Sequence, residues 1–156
     1  MTEIEFNALA AQGYNRIPVT LETFADLDTP LSIYLKLANA PYTYLLESVQ
    51  GGERFGRYSI IGLAAQTRIV VNGNQVLVLT GNRIAERDEH TNPLDFIGKF
   101  MDRFRAPPSS GLPRFCGGLV GCFGYDTIRY VESKLSRTEK QDDIGTPDIG
   151  LLLSEE

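Results

Sequence analysis

The chain has 156 residues, 42% hydrophobic and 22% charged, with 15 glycines. That is the profile of one ordinary globular domain rather than of a disordered segment. A net charge of −5 excludes the basic footprint of a nucleic-acid binder. No apolar run approaches the ~18 residues of a membrane span and no basic-then-apolar leader opens the chain, so the sequence reads as cytoplasmic, with neither membrane nor nucleic acid as a partner.

In chain order, Thr2-Glu3-Ile4-Glu5 has the spacing of a capping box, and the short helix it starts can end at Gly13. Residues 16–23, RIPVTLET, read as extended. Pro30 after Thr29 opens a second helix, with Leu31, Tyr34, Leu35 and Ala38 at i, i+3, i+4 and i+7. PYTYLLESV (41–49) and RYSIIGL (57–63) are rich in strand formers. TRIVV, QVLVL and RIAER follow, divided by Asn72-Gly73 and Thr80-Gly81-Asn82. Asn-Gly at the centre of a type I′ turn predicts an antiparallel meander.

Asn92 caps a helix that starts at Pro93, with Leu94, Ile97, Met101 and Phe104 on one face and Pro107-Pro108 as its stop. Gly98 inside it costs ~1 kcal/mol relative to alanine, so this helix depends on packing. FCGGLVGCFGYD (115–126) is expected to run through the core beside another backbone, because glycine permits close approach. TPDIGLLLSEE (146–156) begins a buried strand, and with no cap or tail after Leu153 it reads as part of a longer protein. The pattern predicts an α+β fold, mostly antiparallel sheet with flanking helices.

Little of this is catalytic equipment. Cys116 and Cys122 are spaced C-x5-C, which matches no usual zinc or redox pattern, and they are expected to be buried free thiols; His90 is the only histidine. GGLVGCFG is neither a dinucleotide fingerprint nor a phosphate loop. In GYDTIRYVE, Asp126, Arg129 and Glu132 recur every third residue, so on a helix they share a face and pair. Such a set suits a polar seam where another domain docks, since no nucleophile, metal cluster or Ser-His pair accompanies it.

The most unusual stretch is YLLESVQGGERFGRYSIIG (44–62), where a polar insert separates two apolar runs. Glu47 and Ser48 stand at the end of the first run and Arg57 at the start of the second. A carboxylate for an ammonium group, and an arginine for a carboxylate, are what a zwitterionic amino acid requires. Leu45, Leu46, Ile60 and Ile61 can wall in a side chain.

LLESVQGGERFGRYSIIG and FCGGLVGCFGYDTIRYVE, with NRIPV and TPLSIYLKLA, resemble the N-terminal region of anthranilate synthase component I, from about residue 14 to 153. The resemblance implies an enzyme that converts chorismate and ammonia to anthranilate and pyruvate in tryptophan synthesis. It implies Mg2+ as cofactor and a glutamine amidotransferase subunit (component II) as partner. Residues 1–156 would be the N-terminal regulatory and structural domain, inactive alone, with the chorismate and metal residues in a C-terminal domain outside this chain. It also implies feedback inhibition by L-tryptophan, with Glu47 and Ser48 on the inhibitor's acid and serine positions and Arg57 near a basic one. Asp126, Arg129 and Glu132 would lie at the domain interface. An aminodeoxychorismate synthase component is an alternative within the same enzymes, and a free-standing amino-acid-binding module an alternative outside them.

Overall fold

The computed structural model describes residues 1–47, 58–108, 112–113, 115–135 and 144–155. Helix α1 (Glu3–Ala11) opens with the expected capping box between Thr2 and Glu5, and Gly13 follows it with φ 86°. Helix α2 (Pro30–Leu37) is closed at its start by a second reciprocal pair, Thr29 and Ser32. The stripe expected on α2 is only partly used: Ala38 is buried, whereas Leu31 and Leu35 are exposed. Residues 17–25 form no regular element. No helix among the described residues is long and apolar enough to cross a membrane.

Seven strands among the described residues follow the strand-forming runs seen in the sequence. Strands β1 (Tyr44–Glu47) and β2 (Ser59–Gly62) form a separate antiparallel pair. Strands β3 (Thr67–Asn72), β4 (Gln75–Thr80), β5 (Arg83–Glu89), β6 (Gly118–Phe123) and β7 (Ile149–Ser154) form an antiparallel sheet in the order β5-β4-β3-β7-β6. The last strand in the chain therefore lies inside the sheet. The expected meander is present, with a different turn. Asn72 pairs with Gln75, so Gly73 and Asn74 are the loop, and only Gly73 (φ 55°) has positive φ. Glycine in the first loop position is the type II′ pattern rather than I′. Thr80 pairs with Arg83 around Gly81 (φ 58°) in the same way.

One face of the sheet makes the core. Ile69 faces Val78 and Leu151 across the ladder, and Val71 faces Val76 and Ile149. All six are buried, because side chains that share a parity share a face. Helix α3 (Pro93–Met101) covers this face, with Asn92 capping it through the Leu94 amide. Its buried side chains are Pro93, Phe96 and Phe100, while Leu94, Ile97 and Phe104 only flank the core. The inner stripe is thus set by the phenylalanines, not by Leu94, Ile97, Met101 and Phe104. The helix ends at Met101, well before Pro107. Bidentate bonds from Arg103 to Glu86 (2.7 and 2.9 Å) fasten its end to β5.

The glycine-rich strand β6 is at the edge of the sheet, not in the core, and Gly121, Cys122 and Phe123 are exposed. The close approach expected of it is real. A Cβ on Gly121 would sit on the carbonyl of Gly150 in the neighbouring strand. Both cysteines are free, and both are exposed, contrary to the expectation of buried thiols, because the segment that carries them borders the sheet instead of crossing its interior.

Candidate functional site

The hairpin β1–β2 brings the ends of the polar insert together. Leu45 faces Ile61, Leu46 faces Ile60, and Glu47 faces Ser59 at the mouth. Glu47 is exposed there and accepts a long bond from the Ser59 hydroxyl (3.5 Å). Ser48 and Arg57 lie outside the described residues. Leu45, Ile60 and Ile61 are half-buried, and Leu46 is exposed.

Two tyrosines anchor this hairpin to the face of the large sheet opposite α3. The Tyr44 hydroxyl bonds the Ser154 hydroxyl of β7 at 2.6 Å. The Arg68 guanidinium of β3 lies 3.6 Å from the centroid of the Tyr42 ring, a cation–π contact. Arg68 and Ser154 belong to the even positions of β3 and β7, whereas the core residues Ile69 and Leu151 are odd. Tyr42 holds φ 65°, the one positive value on a non-glycine among the described residues. Its carbonyl accepts from Ala65 N–H at 3.0 Å. A Cβ on Gly62 would overlap the Tyr44 ring, so this glycine is the space in which the tyrosine lies.

A second polar group lies beyond β6. Asp126 sits in a single 3-10 turn, and Arg129 in the short helix α4 (Ile128–Val131). They pair at 2.9 Å. Glu132 does not join them on a common face, because the backbone turns extended at that residue and its carboxylate accepts instead from the Lys134 amide (3.3 Å). The pair borders an open groove of about 980 Å3, with Leu94, Phe123, Tyr125, Ile128 and Val131 among its walls.

Sequence reasoning missed a third group. The Asp148 carboxylate accepts from the Gly73 N–H (2.7 Å) and from the Tyr130 hydroxyl (2.9 Å), which also reaches the Gly73 carbonyl (2.7 Å). Burial first, and then the neighbouring Asp148 carboxylate, push the Tyr130 phenol well above its ordinary value of 10.0. These residues are far apart in the chain. The only local signal was an aspartate directly before a buried strand. A cavity of about 510 Å3 also lies between α1, the end of α3 and the end of β7, with an ion pair of Arg16 and Glu155 (2.8 Å) at its rim.

Among the described residues, no three His, Cys, Asp or Glu side chains come together to hold a metal ion. The residues described here therefore do not fit a Mg2+ site, and no chemical step is derived through one. What the chain presents is an α+β scaffold that carries polar groups at a hairpin mouth and beside an apolar groove.

No protein-family model matches the chain. Curated relatives do. Anthranilate synthase component 1 of Pseudomonas aeruginosa is 55% identical over 155 residues, which cover 99% of this chain and 32% of that protein. The protein of the same name from Neisseria meningitidis serogroup B is 57% identical over 155 residues, covering 97% of this chain and 31% of that one. A crystal structure of anthranilate synthase component I from Streptococcus pneumoniae covers 88% of this chain and 28% of its own, at 27% identity and a TM-score of 0.47. Nearly the whole chain is thus similar, at 55–57% identity, to part of proteins named anthranilate synthase component 1. It spans about a third of the length of the relatives it matches.

Proposed function

We propose that this chain is the N-terminal regulatory and structural domain of anthranilate synthase component I. In this reading the whole protein converts chorismate and ammonia to anthranilate and pyruvate, with ammonia delivered by a glutamine amidotransferase subunit and Mg2+ required. The catalytic and metal residues belong to the part of the relatives that this chain does not span. This domain supplies part of the site for L-tryptophan, the feedback inhibitor. The observation that carries the reading is the likeness at 55–57% identity over nearly the whole chain.

The hairpin supports the regulatory role. It sets the Glu47 carboxylate at a mouth whose other side begins at Ser59. There the acid is available to an ammonium group, with Ser48 next in sequence and Arg57 across the insert. Asp126 and Arg129 beside the apolar groove suit the docking of the remainder of the protein, and Glu132 stands at the margin of that seam. Inhibition then works through a difference in tryptophan affinity between two states of the enzyme.

The test is the rate of anthranilate formation against tryptophan concentration in the full-length protein that carries this chain. Ser48→Phe places a ring where a hydroxyl partner is proposed. It is expected to raise the inhibition midpoint by about five- to 150-fold while most activity remains, because a lost buried hydrogen bond costs ~1–3 kcal/mol and each ~1.4 kcal/mol is tenfold. An unchanged curve in the folded variant would sink the regulatory reading.

A further inference from the structure

We infer that Tyr44 and Ser154 are positioning residues for the regulatory response: their hydroxyl contact holds the Glu47 hairpin against the large sheet and makes occupancy of the hairpin mouth felt at β7. The inference rests on the amino-acid-site reading above.

Among the described residues the hairpin is a sheet of its own, and no ladder joins it to the other five strands. Its position must therefore be set by side chains and a few backbone bonds. Three of these lie at the end of the hairpin remote from its mouth. The carbonyl of Tyr42 accepts from Ala65, Arg68 stacks on the Tyr42 ring, and Tyr44 bonds Ser154. Only the last involves β7, which lies between β3 and β6 and carries the core residues Ile149 and Leu151.

Alternation on a strand gives the contact its leverage. Tyr44 and Glu47 are three positions apart on β1, so they project from opposite faces. A ligand held by Glu47 on one face tilts the strand against the tyrosine anchored on the other. The hydroxyl pair at 2.6 Å is short and directional, and Tyr44 has no room to slide, since its ring fills the space above Gly62. A tilt of the hairpin is thus either resisted by Ser154 or passed to it. Ser154 is also continuous with Glu155, whose carboxylate pairs with Arg16.

The experiment uses the full-length protein that carries this chain, with Tyr44→Phe, Ser154→Ala, the double variant and Ser154→Thr, and with Ser48→Phe as a reference. Tyr44→Phe deletes one oxygen and keeps the ring. Each single variant is expected to speed backbone hydrogen exchange in Tyr44–Glu47 and Ser59–Gly62 about three- to tenfold and to raise the tryptophan midpoint by a similar factor. The double variant is expected to go no further than either single, because both remove one contact. Ser154→Thr is expected to restore both readouts. Exchange that stays unchanged, or effects that add in the double variant, would overturn the contact's role whether or not tryptophan binds. Faster exchange with an unmoved midpoint, while Ser48→Phe does move it, would overturn the coupling alone. If Ser48→Phe also leaves the midpoint in place, the amino-acid-site reading has failed instead. A parallel loss of the uninhibited rate would mark a structural role only and overturn the proposal.

Discussion

The β3–β4 hairpin turns through Gly73 and Asn74, whereas the β1–β2 ladder ends at Glu47 and Ser59, twelve positions apart in the chain. The first is braced on its core face and at its turn. Its ladder has two fully buried cross-strand pairs, α3 covers it, and Asp148 and Tyr130 clamp its turn. The second has four pairs, and its polar residue at the mouth faces solvent. At the tight turn, Gly73, Asp148 and Tyr130 bond one another. At the hairpin mouth, exposed Glu47 has only a long bond from Ser59 among those described. In the function proposed above, the same strand chemistry serves stability in one place and recognition in the other.

The strongest way to break this contrast is to remove the brace. Phe100 is buried and packs with Phe96 and Phe104, at ring-centroid distances of 6.4 and 5.3 Å. Phe100→Ala is expected to cost about 3–5 kcal/mol, through lost transfer energy and the cavity left behind. Urea unfolding should show a large fall in midpoint, and a loss under 1 kcal/mol would mean that α3 is not the cover of the sheet.

A sharper test makes the two turns alike. Replacing residues 48–58 with Gly-Asn joins Glu47 to Ser59 as the β3–β4 hairpin is joined. Loop-closure entropy should favour this variant by about 1–1.5 kcal/mol. Tryptophan inhibition in the full-length protein should vanish. Retained inhibition would show that the insert is not the site.

The smallest expected effect concerns the clamp. Tyr130→Phe removes the hydroxyl between Gly73 and Asp148 and should cost about 0.5–1.5 kcal/mol at neutral pH. The folded state holds the phenol proton above its unfolded value of 10.0. Its contribution is therefore complete below pH 10 and is lost as pH rises through the folded-state value. Melting curves from pH 8 to 12 should show a steeper alkaline decline for wild type than for Tyr130→Phe; coincident slopes would contradict the raised phenol.

Much of the fold was legible because local chemistry and tertiary packing agree. Thr2 and Thr29 cap helices as their spacing requires, and TRIVV and QVLVL alternate as a half-covered sheet must. Failures came where a partner distant in sequence decides. Which stripe of α3 faces inward depends on the sheet, and the two phenylalanines i and i+4 apart outweighed the flanking aliphatic residues. The glycine-rich segment was read correctly for close approach and wrongly for depth, because an edge strand and a central strand need the same backbone contact on one side. The place of Glu47 at the end of a strand could be read from sequence, but the anchors Tyr42, Tyr44 and Ser154 could not. Their meaning lies in a face relationship between strands more than a hundred residues apart, as in Tyr44 and Ser154.

Gly121 carries a further consequence for how this protein can drift in sequence. The atoms that a side chain there would meet are the carbonyl group of Gly150 and the Cα of Leu151, all backbone. Most crowded positions can be relieved by shrinking a neighbour, so two substitutions can wander together. Here every possible neighbour has the same backbone, and no second change across the strand can make room. The position is closed to exchange by geometry alone, independently of anything that binds the protein.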